Sequence, residues 1–255
     1  MNAIQKIPLD QIDLSDETFS VNFMPDLRGL RSSIEDVGLI QPVLLIEKGD
    51  QYQIVCGFRR LSVTKELGKS EIESRVFEEK EMDELQLFSL SLHENLTTRG
   101  FNAVEKGIAL DKLVHYFQMD QTIIVQTFLP LFSLEPNEKI LNTFLSLARM
   151  EDEVKRYVLK EKVSRSNIRI LSNFTSEDRM ALVPLFSSLK LGENRLREML
   201  ALLEEVSRRD QTRVRDIVYQ REIQAILSQK ELTPSHKTDR TKKVLTDLLR
   251  SWGIQ

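Results

Sequence analysis

A short glycine and arginine motif offers the clearest chemistry in the sequence. It occupies Gly57–Arg60, after a strand-like segment and before a helix-like one. A glycine lets the backbone approach an oxyanion without a β-carbon in the way. The first turn of a helix offers free amide donors, and two arginines can bind oxygens through paired hydrogen bonds. The motif therefore indicates an anion site, although a glycine turn with two surface arginines is the alternative on spacing alone.

The segments around this motif predict a small mixed α/β unit. Apolar residues at helical spacing end at Gly38, and two strand-like segments flank the hairpin signal at residues 48–50. The predicted elements, in chain order, are an edge strand over 4–12, a helix over 27–37, a hairpin over 43–56, a helix over 61–67, a strand over 72–77 and a helix over 82–92.

From residue 102 onward the pattern predicts helices alone, because apolar residues recur every three or four positions. The fold class is therefore α+β, with a small mixed α/β domain followed by an all-helical domain. We predict three parts: a first domain over 1–100, a helical domain over 101–190 and a helical extension over 191–255. The segment at 196–206 could belong to a core or to a dimer interface. The predicted helices cover 104–117, 140–147, 154–158, 180–189, 196–206, 214–227 and 238–252.

Composition excludes several classes of protein. The 255 residues carry 36 basic and 39 acidic side chains, a net charge of -3, so any nucleic-acid site must be local. With 41% hydrophobic residues the chain is expected to fold throughout. Cys56 is the only cysteine, which excludes an internal disulfide, and the three histidines show no metal-ligand spacing. Without a signal peptide or a long apolar run, we expect a cytoplasmic protein, nucleoid- or plasmid-associated, with no membrane partner.

Two sets of motifs resemble the ParB partition protein family, whose first domain has the ParB/sulfiredoxin-like fold. Ser33-Ile34, the segment at 38–42, Gly57–Arg60 and Gly68 match its first conserved box, and Glu94-Asn95-Leu96 with Asn102 and Glu105 matches its second. The resemblance covers residues 4–107. It implies a site for cytidine triphosphate (CTP) with Mg²⁺, whose nucleotide- or phosphate-binding residues would be Gln41, Gly57, Arg59, Arg60, Glu94 and Asn95.

The same resemblance implies that Glu94 and Asn95 lie beside the metal. Carboxylate and amide oxygens suit Mg²⁺, which prefers oxygen ligands. Two departures remove charge, because Phe58 and Thr98 stand where the family usually has glutamate and arginine. Arg99 is one residue further along, and on a helix it would point about 100° away from Thr98, so it replaces the missing arginine only if the backbone adjusts. We therefore expect binding without efficient turnover, with weak CTP hydrolysis left open.

Two other branches of the superfamily fit less well. Sulfiredoxin uses a cysteine within the equivalent turn, where this chain has Phe58. Cys56 lies two residues earlier on an alternating strand, and we predict that it is a small buried hydrophobic residue. The third branch comprises kinases of free serine, and nothing in the sequence indicates their substrate site.

A DNA-binding role is predicted by resemblance in residues 140–171, which are similar to the second half of the helix-turn-helix domain of ParB proteins. The predicted DNA-binding residues are Lys139, Arg165 and Arg169. Lys139 is the only basic residue in the expected recognition-helix region, where Glu135 and Glu138 oppose it. Since tight duplex binding normally neutralises several phosphates, solvated helix faces are the alternative for these basic residues.

The leading hypothesis is a ParB-like DNA-binding protein, regulated by CTP and homodimeric, that acts in chromosome or plasmid partition or in transcription regulation. The alternative is a regulatory or scaffold protein of the same fold that binds another protein without reading DNA sequence. An enzyme, such as a nuclease, kinase or nucleotide hydrolase, is the third hypothesis.

Overall fold

The structure, a computed structural model, describes residues 3–250. It divides into two compact units, one up to Met119 and one from Asp120 onward. The first unit combines a sheet with helices and the second is helical, which confirms the predicted α+β organisation. The proposed boundaries near residues 100 and 190 stay a prediction, as does the helix-turn-helix character of the second part.

The described part of the first unit contains a five-stranded mixed sheet with four α-helices, a short 3-10 helix and a π-helix. The strand order is β1-β5-β3-β4-β2, in which β1 and β5, and β3 and β4, are antiparallel, whereas β3 and β5, and β2 and β4, are parallel. The elements are β1 (Ile4–Pro8), β2 (Ile12–Asp13), α1 (Arg28–Val37), β3 (Val43–Lys48), β4 (Gln51–Cys56), α2 (Phe58–Glu66), β5 (Glu71–Phe77), α3 (Glu84–Thr98) and α4 (Ala103–Asp111), which continues as a π-helix over Lys112–Tyr116.

Most elements of the first unit agree with the sequence pattern. The hairpin is present, and α1 ends at Val37 before Gly38 as expected. Alternation in β5 buries Ile72, Ser74 and Val76 on one face. The core brings together apolar side chains from the sheet and α2, with the following residues buried: Ile7, Ile12, Val43, Leu45, Ile54, Leu61, Ile72 and Val76.

Two helices of the first unit have different bounds from those predicted. Helix α2 begins at Phe58 rather than at residue 61 because Gly57 turns the chain directly into it. Helix α3 extends to Thr98, beyond the expected end at residue 92. Asp83 starts α3 with a capping box to Gln86, and the polar residues after 92 contain no helix breaker. Consequently Glu94 and Asn95 lie on the last turns of a helix.

The second unit consists of helices. Helix α10 lies centrally in it, since it packs against α8, α12 and α14, and α11 packs against α9, α12 and α14. The elements are α5 (Gln121–Ile123), a π-helix (Ile124–Phe128), α6 (Leu129–Leu131), α7 (Glu138–Ala148), α8 (Asp152–Lys160), α9 (Arg165–Leu171), α10 (Ser176–Leu189), α11 (Glu193–Asp210), α12 (Val214–Val218), α13 (Arg221–Ser228) and α14 (Pro234–Arg250).

The structure changes one predicted helix of the second unit and shows where the apolar face of another is buried. The single helix predicted over 214–227 is two helices in the structure. Gln220 leaves the helical conformation, with φ -55° and ψ 140°, and the side-chain amide of Gln224 donates to the carbonyl of Val218 at 2.9 Å. The apolar face of α11 is buried within this chain, including Leu200 and Leu203.

The end of the helix predicted to reach residue 252 lies outside the described residues. Within residues 3–250, no helix has the length and apolarity to cross a membrane.

One ion pair gives the second unit a defined response to acid. Arg179 donates to both carboxylate oxygens of Glu151, at 2.9 and 2.7 Å. These bonds lower the pKa of Glu151 from 4.5 to about 2. Because the folded-state pKa is depressed, the stabilisation is complete above about pH 4.5 and is lost as the pH falls towards 2.

We therefore expect the Glu151→Gln variant to unfold more easily than the wild type at neutral pH, with a difference in unfolding free energy that shrinks between pH 4.5 and 2. Urea titrations at several pH values measure this difference. The control is Glu138→Gln, an exposed residue of the same unit. A wild-type to Glu151→Gln difference that stays constant over this range would contradict the assignment.

Candidate functional site

The turn between β4 and α2 has a backbone that only glycine adopts easily. Gly57 has φ +98° and ψ +20°, in the left-handed region. A β-carbon at this position would lie 2.7 Å from Cγ1 of Val43, which is fully buried. No side chain caps α2, so the amides of its first turn are left without helical acceptors. The turn therefore presents backbone donors beside Arg59 and Arg60.

A cavity of about 290 Å³ lies at this turn. Its walls come from the loop before α1, the residue before Pro42, the turn at Gly57 and the last turns of α3. All six residues predicted to bind nucleotide or phosphate line it, and the full lining is Phe19, Val21, Asn22, Asp26, Leu30, Gln41, Gly57, Phe58, Arg59, Arg60, Glu94, Asn95, Thr98 and Arg99.

Arg60 is fixed from two sides. Its Nη1 donates to the carbonyls of Gln41 and Pro42 at 3.2 and 3.1 Å, and its Nη2 donates to Oε1 of Glu94 at 2.5 Å. The Arg60 side chain is only 14% exposed. The interaction links the loop before β3 to α3, and it engages one oxygen of the carboxylate that was predicted to hold a metal.

The residues present are chemically compatible with Mg²⁺. Asn95 donates its amide nitrogen to the carbonyl of Ser91 at 2.8 Å, which leaves the amide oxygen as an acceptor. Glu94 offers its second carboxylate oxygen. Within residues 3–250, no cluster of three acidic, histidine or cysteine side chains could hold a metal. Mg²⁺ often takes one or two protein ligands and completes its octahedron with phosphate and water oxygens, so this pair fits an ion brought by a nucleotide.

Arg59 and Arg99 are joined by two bridging acceptors. Arg59 donates to Oδ1 of Asn22 at 2.7 Å and to Oε1 of Glu105 at 2.6 Å. Arg99 donates to the same Asn22 oxygen at 3.2 Å and to Oε2 of Glu105 at 2.7 Å. The guanidinium of Arg99 also lies 5.2 Å from the ring centroid of Phe101. We call Asn22, Arg59, Arg99 and Glu105 the arginine ring.

The structure meets the backbone condition under which Arg99 could replace the missing arginine. Helix α3 ends at Thr98, and Arg99 is extended, with φ -155° and ψ 151°. Arg99 therefore leaves the helix and reaches the cavity instead of following the helical direction. Asn22 and Glu105 were not predicted as site residues. Glu105 belongs to the second conserved box, and its spacing from Asn102 is that of a capping box, which is the sequence signal for a fixed carboxylate here.

Burial shifts the pKa values of two side chains at or beside the cavity, those of Arg59 and Cys56. Burial, and then the neighbouring charge of Arg99, lower the pKa of Arg59 from 12.5. Burial, and then the charge of Glu94, raise the pKa of the Cys56 thiol to about 12. Cys56 is fully buried, which confirms the prediction of a small buried residue. Its thiol is protonated at neutral pH and is a poor nucleophile.

The two departures from the family pattern also line the cavity. Phe58 is half-buried and contributes an aromatic ring instead of a carboxylate. Thr98 donates its hydroxyl to the carbonyl of Glu94 at 3.1 Å, a bond within its own helix. Neither side chain adds charge to the cavity.

The predicted DNA-binding residues lie in the second unit and are exposed. Lys139 is in the first turn of α7, Arg165 is the first residue of α9, and Arg169 follows one turn later. Helices α7 and α9 pack against each other. Arg165 and Arg169 thus share one helix that neighbours the helix of Lys139.

Comparison with known proteins finds similarity that is strongest in the amino-terminal part. Residues 1–96 match the family model described as the ParB N-terminal domain. The chain is 27% identical over 192 residues to the probable chromosome-partitioning protein ParB of Campylobacter jejuni, covering 75% of this chain and 66% of the relative. It is 26% identical over 176 residues to the nucleoid occlusion protein of Halalkalibacterium halodurans, covering 67% of this chain and 59% of the relative. The chain thus spans less than two thirds of either relative.

Two crystal structures of the C-terminally truncated chromosome-partitioning protein ParB from Caulobacter crescentus also match. The complex with CTP-gamma-S has a TM-score of 0.33 and 20% identity, covering 71% of this chain and 97% of that chain. The complex with the centromeric parS site has a TM-score of 0.42 and 23% identity, covering 78% and 97%.

The family match and the curated relatives agree with the motifs in the sequence. Residues 1–96 of this chain are similar to the ParB N-terminal domain, the family that the conserved boxes predicted.

The geometry at Gly57 predicts a large cost for a single methyl group. We expect Gly57→Ala to lower the free energy of unfolding by at least about 2 kcal/mol, since the left-handed backbone alone costs about 1–2 kcal/mol for a non-glycine residue and the new methyl meets Val43. The matched control is Gly49→Ala, where φ is +62° but no atom lies within 4 Å of the added carbon. Urea denaturation measures both variants, and equal losses would show that the Val43 contact contributes nothing.

Proposed function

We propose that the cavity at the β4–α2 turn binds a nucleotide triphosphate, CTP by resemblance, together with Mg²⁺. The observation that carries this proposal is that all six residues chosen from the sequence line one cavity. Arg59, Arg60 and Arg99 supply positive charge there, and the first turn of α2 adds backbone donors. Charge-assisted hydrogen bonds of this kind are the strong contacts by which proteins hold phosphate.

The same site is proposed to bind without efficient turnover. Catalysis of phosphoryl transfer requires charges placed for the transition state. Phe58 and Thr98 provide none at the two positions where the family pattern has charged residues. Glu94 and Asn95 would hold Mg²⁺ between them, and that ion would neutralise phosphate charge when bound.

For the whole protein, we propose a DNA-binding role in chromosome or plasmid partition or in nucleoid occlusion, with the nucleotide as regulator and a homodimer as the working form. The similarity to a chromosome-partitioning protein and to a nucleoid occlusion protein supports a role in one of these two processes. Lys139, Arg165 and Arg169 are the proposed contacts with DNA phosphates, because they are exposed on neighbouring helices. Duplex affinity depends strongly on such contacts.

The charges of α7 favour a second candidate, a protein-binding scaffold of the same fold. The first turn of α7 exposes Glu138 beside Lys139, and Glu135 is exposed just before it. Acidic side chains at the start of a recognition helix repel the DNA backbone. A partner protein would then replace DNA as the target of the second unit.

Isothermal titration of the full chain with CTP and Mg²⁺ tests the nucleotide proposal. We expect saturable heat that weakens when the metal is removed by EDTA. Arg60→Gln should weaken binding about 10- to 100-fold, because a hydrogen bond to a charged group contributes about 1.5–3 kcal/mol. Lys69→Ala is the control, since it removes one exposed positive charge of the same unit away from the cavity. No heat with CTP or with any other nucleotide would refute the proposal.

Selection from a random DNA duplex pool, followed by affinity measurements at several salt concentrations, tests the DNA proposal. The double variant Arg165→Ala, Arg169→Ala should weaken binding and reduce the salt slope by about 2, because two phosphate contacts are lost. The control pair, Arg240→Ala with Lys243→Ala, changes the charge equally elsewhere in the second unit. Failure of the wild type to retain any duplex at low salt would favour the scaffold.

A further inference from the structure

The carboxylate of Glu105 organises more of the cavity than any motif in the sequence suggests. Its side chain is 1% exposed. One oxygen accepts from Arg59 at 2.6 Å, and the other accepts from Arg99 at 2.7 Å and from the backbone amide of Asn102 at 3.1 Å. A buried carboxylate with three donors is held in one orientation. Glu105 therefore acts as a fixed point between α2, the end of α3 and the start of α4.

Two guanidinium groups that share a bridge need an acceptor between them. Without it, Arg59 and Arg99 would repel each other in a partly buried space, where charges interact more strongly than in water. Glu105 offsets that repulsion on one side of the arginine ring, and Asn22 accepts from both arginines on the other. The side chains of Arg59 and Arg99 are each 23% exposed, and both line the cavity.

The bridge leaves donors for a ligand. The Nη1 group of Arg59 makes no hydrogen bond within the described chain. Both arginines line the same cavity as Arg60, which a second carboxylate, Glu94, holds in a similar way. Arg59 thus uses part of its fork of donors on Glu105 and leaves its Nη1 group available to another anion.

We propose that Glu105 is a positioning residue that holds Arg59 and Arg99 as a pair facing the cavity, so that the pair binds the phosphoryl groups of a polyphosphate chain. This inference rests on the proposed nucleotide-binding function and specifies how its phosphates are held. Glu105 itself does not touch the ligand. Its role is to fix the direction of two guanidiniums that would otherwise be flexible and mutually repulsive.

The Glu105→Gln variant separates positioning from simple neutralisation of charge. The substitution keeps the size of the side chain and raises the net charge of the site by one. If Glu105 only cancels charge, the variant should bind a polyphosphate as tightly as the wild type or more tightly. If Glu105 positions the arginines, we expect at least about tenfold weaker binding of CTP and of inorganic tripolyphosphate in spite of the added charge.

Nuclear magnetic resonance of the arginine Nε–H groups reports on the pair without any ligand. In the wild type, we expect Arg59 and Arg99 to give two slowly exchanging Nε–H signals, because one is hydrogen-bonded and the other is buried. Arg59→Lys and Arg99→Lys assign these signals. In Glu105→Gln both signals should move towards those of exposed arginines. Glu78→Gln, at an exposed position of the same unit, is the control for an equal change in charge.

Arg99→Lys also keeps the test decisive if Glu105→Gln does not fold. Lysine retains the charge but cannot bridge Glu105 and Asn22 with a planar fork, so we expect a similar loss of affinity. Unchanged or tighter binding in a folded Glu105→Gln or Arg99→Lys variant would overturn the inference. If the wild type binds tripolyphosphate but no nucleotide, the nucleotide proposal fails. Tripolyphosphate binding by the variants still tests the positioning role of Glu105. If the wild type binds neither, both fail.

Discussion

A charge buried at Glu105 constrains the amino-terminal unit more than any single apolar contact. Removing a carboxylate from water costs several kcal/mol unless hydrogen bonds and opposite charges compensate. The compensating donors come from Arg59 on α2, Arg99 after α3 and the amide of Asn102 before α4. These three segments must therefore approach one point to within hydrogen-bonding distance. Arg59 and Arg99 also form part of the cavity wall. The shape of the cavity therefore depends on the approach of these three segments.

Charge is nearly balanced around the cavity. Three guanidiniums are in contact with two carboxylates, those of Glu94 and Glu105. Long-range attraction of an anion is consequently weak, in agreement with a chain whose net charge is -3. Under the proposed function, affinity for phosphate would come instead from short, directed hydrogen bonds in a partly dry space. Such bonds depend on orientation, which is the property that the arginine ring and the Gly57 turn control.

Sequence patterns predicted local features well and long-range ones poorly. The hairpin, the end of α1 and the turn at Gly57 depend on neighbouring residues, and the structure contains all three. The bonds from Arg59 to Asn22 and Glu105 span 37 and 46 residues, and no periodicity indicates such pairings. Helix bounds also differed from those predicted, as between α12 and α13, where the side-chain amide of Gln224 donates to the carbonyl of Val218 and one predicted helix is two.

The position of Arg99 shows how a one-residue change alters the possible chemistry. In the family pattern an arginine stands at the position of Thr98, within the helix that carries Glu94 and Asn95. In this chain the helix ends first, and Arg99 extends towards Arg59 and shares an acceptor with it. An arginine held against a second arginine by one carboxylate is suited to bind a static polyanion. Phe58 adds no charge nearby, so the cavity has fewer charged groups than the family pattern to stabilise a reaction, which agrees with the proposal that it binds phosphates without efficient turnover.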